Sequence, residues 1–245
     1  MELQIIDTGK NTAAENMRID EQMLQELDIH SLPILHFYDW LKPSATFGIF
    51  SHPNQWLLQE GIKKLGLDLA KRPTGGGIIF HSFDFAFSFL LSTSHPAFSL
   101  NTLKNYAFVN RIIATVLEKI LNTQNHLELL KCSDCSNDKL LKNFCMATPT
   151  VYDVVYQGRK LAGGAQRRTK SGFLHQASIT LIPPPISFLN DILPADSPIA
   201  SAMQHVSYPL LDHTWTPETL KTMQITLKEN LISHFAAACN AIPLT

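Results

Sequence analysis

The sequence predicts an α/β fold, and three observations support that class. Strand-like and helix-like segments alternate through the first 120 residues. Residues 152–182 show three strand patterns separated by short turns, and a helix with a clear start signal lies near the end of the chain. With 245 residues, of which 45% are hydrophobic, the chain is long enough to bury one sizeable core or two small ones.

The first predicted elements are a strand at residues 3–6, a helix capped by Asn11 or Thr12 that runs to about residue 27, and a strand at 33–38. The apolar stripe of the helix includes Asp20. A carboxylate facing a core needs hydrogen-bond donors, which N–H groups of a neighbouring loop could supply. The alternative places Asp20 at the edge of the stripe, in water. Tyr38 and Trp40 then form either part of the core or an apolar wall for a ligand.

The most informative stretch is 71–81, Lys-Arg-Pro-Thr-Gly-Gly-Gly-Ile-Ile-Phe-His. Each glycine would cost a helix about 1 kcal/mol, whereas backbone without Cβ atoms lets N–H groups converge on an anion or a carbonyl. We expect residues 74–77 to form a hairpin tip under a ligand. A helix at 52–65 and a lead-in at 67–72 precede it, and a strand at 78–91 follows. An ordinary glycine-rich turn is the alternative.

The remaining elements follow from periodicity and turn signals. Residues 101–121 predict the clearest helix, with a core-facing stripe to which we assign no chemistry. Antiparallel strands are expected at 152–156, 159–167 and 173–182. Residues 186–208 predict a loop with short helical turns, either a static surface loop or a mobile flap. Thr216, Pro217 and Glu218 begin the last helix.

Composition argues against several classes of protein. A formal net charge of −1 argues against general binding to nucleic acid or membranes. The start lacks signal-peptide features and no long apolar span occurs, so we expect a cytoplasmic protein with reduced cysteines. Cys132 and Cys135 have metal-ligand spacing but no second pair, which favours a polar surface loop over a metal or redox site. The clear basic cluster is local: Arg159, Lys160, Arg167, Arg168 and Lys170.

A second stretch, residues 159–168, supplies chemistry that complements the triple glycine. Lys160 lies on a predicted strand beside Gly163 and Gly164. A cation next to backbone without side chains suits an acyl phosphate or an activated carbonyl, on which negative charge develops. An exposed strand lysine in a glycine-bearing hairpin is the alternative.

Together these stretches resemble the lipoate-protein ligase and octanoyltransferase family, which shares its fold with biotin-protein ligases. Residues 72–81 are similar to the family's Arg-x-Ser/Thr-Gly-Gly-Gly-x-x-x-His loop. Residues 160–166 resemble its Lys-x-Ser/Ala-Gly-x-Ala segment, and residues 172–178 resemble the Gly-x-x-His segment that follows. Residues 16–21 and 37–48 are similar to its opening helix and strand, so the resemblance extends over residues 10–185.

The resemblance implies one catalytic domain over residues 1–245, with mixed, largely antiparallel sheets flanked by helices. The small C-terminal accessory domain of full-length ligases would be absent. It implies an acyl tunnel under the glycine loop and a catalytic Lys160 at the reacting carbonyl. The residues that it implies for binding the acyl chain and the nucleotide are Arg72, Thr74, Gly75, Gly76, Gly77, His81, Gly163, Gly164, Ala165, Gln166 and His175.

Two reactions are compatible with the family pattern. A ligase would activate lipoate or octanoate with ATP and Mg²⁺ as an acyl-AMP, with no metal held by protein alone and no tightly bound cofactor. An octanoyltransferase would first take octanoate from an acyl carrier protein onto Cys145, because residues 144–153 resemble the Cys-Phe-x-x-Pro-Ser-x-Tyr-Glu stretch of one transferase subgroup. A small buried cysteine at a strand start is the alternative there.

The intact glycine loop with His81 narrowly favours the ligase, while the absent accessory domain favours a transferase or a ligase with a separate partner chain. The acceptor implied is a lysine on the lipoyl domain of a 2-oxoacid dehydrogenase E2 subunit or on the glycine cleavage carrier protein. A non-catalytic lipoyl-domain binder is disfavoured because Lys160 is present. A biotin-type ligase fits less well, because its Gly-Arg-Gly-Arg-type loop is missing. No nucleic-acid or membrane partner is expected.

Overall fold

The computed structural model describes residues 2–81, 84–123, 127–131 and 140–240. Short 3-10 helices lie at Pro53–Gln55 and Leu141–Asn143. The strands and α-helices, in chain order, are β1 (Gln4–Asn11), α1 (Ala13–Glu26), β2 (Ile34–Trp40), β3 (Ser44–Phe47), α2 (Gln59–Leu65), β4 (Asp68–Lys71), β5 (Ile78–His81), β6 (Asp84–Ser92), α3 (Thr102–Leu121), β7 (Glu128–Leu129), β8 (Val154–Tyr156), β9 (Arg159–Arg168), β10 (Gly172–Thr180), α4 (Ile186–Ile192), α5 (Ile199–Val206) and α6 (Pro217–Asn240).

The strands form two sheets. The larger has the order β1-β2-β6-β10-β9-β8-β7, in which only β1 and β2 are parallel, and the smaller has the order β4-β3-β5. The predicted α/β fold with mixed, largely antiparallel sheets is therefore confirmed. The main core lies where α3 and α6 pack on the larger sheet, and its rings include Phe87, Phe89 and Phe235.

Several helix starts follow their local signals. The Thr12 hydroxyl accepts a hydrogen bond from the N–H of Glu15 and caps α1, and the Asn101 side chain caps α3 in the same way. Asp20 is fully buried on the inner face of α1, so the alternative that placed it in water is wrong. No helix in the described part of the chain combines the length and apolar character needed to span a bilayer.

The glycine loop does not form a hairpin tip. β4 and β5 both pair with β3, β4 in parallel and β5 antiparallel, so the chain between them crosses over the end of β3. The strand predicted at 78–91 is also two strands, because β5 belongs to the smaller sheet and β6 to the larger. Apolar residues continue through both strands, and periodicity alone contains no information about a change of sheet.

A second core covers the smaller sheet. Leu189, Ile192 and Met203 are buried there against Phe80 and Phe144. Leu189 and Ile192 belong to α4 and Met203 to α5. The short helical turns predicted at 186–208 are therefore present, but the surface loop or flap predicted there is wrong, because these side chains are buried. The two helices have 7 and 8 residues, too few turns for a clear apolar stripe.

Two further predictions concern residues 52–65 and the segment around Cys132 and Cys135. The helix expected at 52–65 is instead a 3-10 turn followed by the shorter α2. The predicted surface loop around Cys132 and Cys135 lies outside the described residues.

Candidate active site

A cavity of about 530 Å³ lies between the two sheets, under the glycine loop. Its size is within the range of small-molecule sites. The two sequence stretches that predict chemistry meet across it. The predicted site residues that line it are Arg72, Gly75, Gly76, Gly77, His81, Cys145, Lys160, Gly163, Gly164 and Ala165.

Lys160 places a buried cation in one wall of this cavity. Its Nζ lies 2.7 Å from Oδ2 of Asp153, and the two side chains are only 5% and 3% exposed. The same Nζ donates a hydrogen bond to the backbone oxygen of Cys145 at 2.9 Å. A Cβ at Gly163 would lie 2.5 Å from Cε of Lys160, so the ion pair requires glycine at that position. A buried charge is tolerated when it is paired in this way.

Cys145 brings a half-buried thiol to the same wall. It lies in a turn after Phe144, and its N–H donates to the oxygen of Ile78 at 2.9 Å, which ties the turn to β5. Nη2 of Arg72 lies 3.7 Å from Sγ. The guanidinium and the thiol are therefore neighbours in the wall of the cavity. Burial raises the pKa of the Cys239 thiol to about 11.

The glycine loop presents backbone donors. Arg72 donates from Nε and Nη2 to the oxygen of Gly75 at 3.0 and 2.6 Å, and the Ser51 hydroxyl donates to the oxygen of Gly76 at 2.8 Å. Gly76 has φ +91°, a conformation that favours glycine. Within the described ranges, the N–H groups of Gly75, Gly76 and Gly77 have no hydrogen-bond partner. They remain available for an anion or a carbonyl oxygen.

His81 lines the cavity and belongs to a cluster of polar side chains. Its Nδ1 lies 2.8 Å from Oδ2 of Asp84, and its Nε2 lies 2.9 Å from Oγ1 of Thr46. The Ser178 hydroxyl donates to the same Asp84 oxygen at 2.6 Å. The Trp40 ring stacks on His81 at 4.0 Å but does not line the cavity.

Tyr38 lines the cavity and Trp40 does not, so Tyr38 is the ring of this pair that can contact a ligand there. Burial raises the pKa of its phenol well above the usual value, with a further contribution from Asp20, and the group stays neutral.

The chain matches the family model described as the lipoyl protein ligase A/B catalytic domain over residues 12–219. It belongs to this family. It is 31% identical over 179 residues to octanoyltransferase LipM of Carboxydothermus hydrogenoformans, covering 73% of this chain and 64% of that protein. Against LipM of Bacillus subtilis it is 28% identical over 187 residues, with coverages of 73% and 65%. The chain thus spans slightly less than two thirds of the length of these curated relatives.

Solved structures of lipoate-protein ligases share the fold of this family member. A putative lipoate protein ligase from T. acidophilum with bound lipoic acid superposes with a TM-score of 0.72 at 19% identity, covering 97% of this chain and 86% of that one. A lipoate-protein ligase A bound with ATP gives 0.73 at 20% identity, with coverages of 97% and 85%. The resemblance that the sequence motifs predict is confirmed at the level of family and fold.

Three side chains that the family pattern implies for binding lie behind the cavity wall. His175 is fully buried, and a Cβ at Gly164 would meet its Nε2 at 2.2 Å. Nε2 of Gln166 donates to Nδ1 of His175 at 2.7 Å, and burial lowers the pKa of His175 to about 3, so the ring is neutral. The Thr74 hydroxyl donates to Gln176. None of the three lines the cavity in the described structure, and a role for them in ligand binding stays a prediction.

Other residues that line the cavity or contact its lining have weak signals or none in this family member's sequence. Asp153 occupies the acidic end of the Cys-Phe-x-x-Pro-Ser-x-Tyr-Glu pattern, a signal that could have identified it. Gln176 follows His175 directly and lines the cavity. Tyr106 also lines it, and its hydroxyl accepts a hydrogen bond from the N–H of Gln166 at 2.8 Å. Helical periodicity alone does not distinguish Tyr106 from its core-facing neighbours.

Proposed function

We propose that this protein transfers an octanoyl group from a thioester donor to Cys145, and from there to a lysine of a lipoyl carrier domain. The observation that carries the proposal is the position of the Cys145 thiol, in the wall of the cavity that Lys160 and the glycine loop also line. The curated relatives named octanoyltransferase LipM support the transferase over the ligase that the glycine motif favours.

In the first step the Cys145 thiolate attacks the carbonyl carbon of the thioester. A carbon–sulfur bond forms, and the carbonyl oxygen becomes anionic. Collapse of this intermediate expels the donor thiolate, which takes up a proton. The octanoyl group remains on Cys145 as an acyl-enzyme. The Lys160 ammonium and the N–H groups of the glycine loop stabilise the negative oxygen.

In the second step the amine of the acceptor lysine attacks the acyl-enzyme. An amide bond forms, the Cys145 thiolate leaves, and the nitrogen loses one proton. The two steps balance without an oxidant, a reductant or a nucleotide. The cavity holds the acyl chain throughout, which orients the carbonyl for both attacks.

The ligase is the second candidate, and the same loop geometry favours it. Unpartnered N–H groups beside a buried cation also suit the phosphate of an acyl-AMP. ATP and Mg²⁺ would then be substrates, with lipoate or octanoate as the acid. In this reaction Lys160 would hold the acyl and phosphate oxygens, and Cys145 would be dispensable.

Mass spectrometry of the protein after mixing with octanoyl-acyl carrier protein distinguishes the two. We expect one octanoyl increment on the peptide that contains Cys145. Cys145→Ser should lose the increment, and Cys239→Ser should keep it, because Cys239 lies in the core and outside the cavity. Lipoate-dependent exchange of pyrophosphate into ATP that persists in Cys145→Ser, with or without an added accessory domain, would overturn the proposal in favour of the ligase.

A further inference from the structure

A chain of buried polar side chains connects α1 to the glycine loop. Asp20 is fully buried and accepts hydrogen bonds from Nδ1 of His36 at 2.8 Å, from the Ser88 hydroxyl at 2.6 Å and from Nε2 of Gln176 at 2.6 Å. Oε1 of Gln176 accepts a hydrogen bond from the Thr74 hydroxyl at 2.7 Å. This series of hydrogen bonds therefore ends at Thr74, the residue that immediately precedes the three glycines.

The Asp20 carboxylate determines which group donates and which accepts in each of these hydrogen bonds. Because a carboxylate only accepts hydrogen bonds, the Gln176 amide must turn its NH₂ group towards Asp20. Its oxygen then faces Thr74, and the Thr74 hydroxyl can only donate to it. The backbone oxygen of Thr74 is held as well, by the N–H of Ile49 at 3.1 Å. Thr74 thus has both its side chain and its carbonyl anchored.

Anchoring matters here because a run of glycines has wide conformational freedom. The oxygens of Gly75 and Gly76 are held by Arg72 and Ser51. With Thr74 fixed at the start and these two carbonyls fixed within the loop, the peptide planes have defined orientations. The N–H groups of the three glycines have no hydrogen-bond partner in the described structure, and the glycines line the same cavity as Cys145.

We infer that Asp20, Gln176 and Thr74 are positioning residues, which aim the N–H groups of the glycine loop at the oxygen that becomes anionic when Cys145 attacks. The inference rests on the octanoyl transfer proposed above. These three side chains act through the loop. Their loss should therefore slow acyl transfer more than any reaction of Cys145 that creates no oxyanion.

Thr74→Val tests this directly, because valine keeps the shape of threonine and removes its hydroxyl, and Thr74→Ser is the matched variant that keeps the hydroxyl. Two rates at Cys145 are measured for each protein, acylation by octanoyl-acyl carrier protein in a single turnover and alkylation by iodoacetamide. Alkylation displaces iodide from an sp³ carbon and forms no oxyanion. We expect Thr74→Val to slow acylation by about 10- to 100-fold and to leave alkylation within about twofold. Thr74→Ser should acylate within about threefold of the wild-type rate.

A second pair of variants separates the loop from the fold. Gln176→Met and Ser88→Ala each remove one donor to Asp20, but only Gln176 reaches Thr74. Both variants should melt at a lower temperature than the wild type. Acylation should slow by about tenfold or more in Gln176→Met alone.

Three results would overturn the inference. Thr74→Val could acylate at the rate of Thr74→Ser, acylation and alkylation could slow equally, or Ser88→Ala could slow acylation as much as Gln176→Met does. A wild-type protein that forms no acyl-enzyme would overturn the proposed transfer and the inference with it. That outcome is distinct from the other three, which leave the transfer standing.

Discussion

Replacing Asp153 by asparagine would leave the Lys160 ammonium buried without its counter-charge. The two charged groups are 2.7 Å apart, and both side chains are almost fully removed from solvent. The same Asp153 oxygen accepts hydrogen bonds from the N–H and the hydroxyl of Thr150, at 2.7 and 3.1 Å. Asparagine keeps the shape of the side chain and one accepting oxygen, so the substitution removes charge while preserving most of the packing.

Removing one partner of a buried ion pair costs about 3–5 kcal/mol. Because asparagine retains an acceptor, we expect the lower figure, about 3 kcal/mol. In a chain of this size each kcal/mol lowers the melting temperature by about 2–4 °C, so the expected fall is roughly 6–12 °C. Lys160 would also lose its fixed position beside the oxygen of Cys145. A displacement of about 1 Å costs about 100-fold in rate, which we expect for acylation of Cys145.

Thermal unfolding near neutral pH and acyl-enzyme formation by mass spectrometry measure the two effects. The matched control is the double variant Asp153→Asn with Lys160→Met, in which the buried cation is removed as well. It should recover most of the lost stability and remain inactive. A single Asp153→Asn variant that melts within about 1 °C of the wild type would refute the reasoning, because the pair would then contribute almost nothing to the fold.

Two further predictions concern the loop and the wall. Gly77→Ala should lower the melting temperature, because its Cβ would lie 2.3 Å from the backbone oxygen of Asn143. A Cβ at Gly75 meets nothing within 4 Å, so Gly75→Ala should melt like the wild type. Equal melting temperatures of the two variants would contradict the geometry. Burial holds the pKa of His175 at about 3, so the unfolded chain takes up a proton below about pH 6.5 that the folded chain does not. Lowering the pH from about 7.5 to about 5 should therefore reduce the free energy of unfolding by about 2 kcal/mol through His175. Urea unfolding of the wild type and His175→Gln at both pH values isolates this contribution, and identical pH dependence in the two proteins would contradict it.

Short-range signals determined the elements that depend on neighbouring residues. Thr12 and Asn101 cap their helices as their side-chain chemistry predicts. The turn at Gln157 and Gly158 has positive φ at both residues, as a tight hairpin requires. Each of these features is decided within a few residues of chain. The motifs around the triple glycine and Lys160 were likewise sufficient to predict the family.

Tertiary structure alone decided which of these pieces meet. Local periodicity predicts a strand but contains no information about its partner, so the crossing of the glycine loop over β3 and the division of residues 78–91 between two sheets came only from long-range pairing. The same holds for the bonds of Asp20 to Gln176 and of Lys160 to Asp153. A buried charged residue needs a hydrogen-bond or ion-pair partner, which can come from any part of the chain that folds next to it. The position of the charged residue in the sequence does not identify that partner.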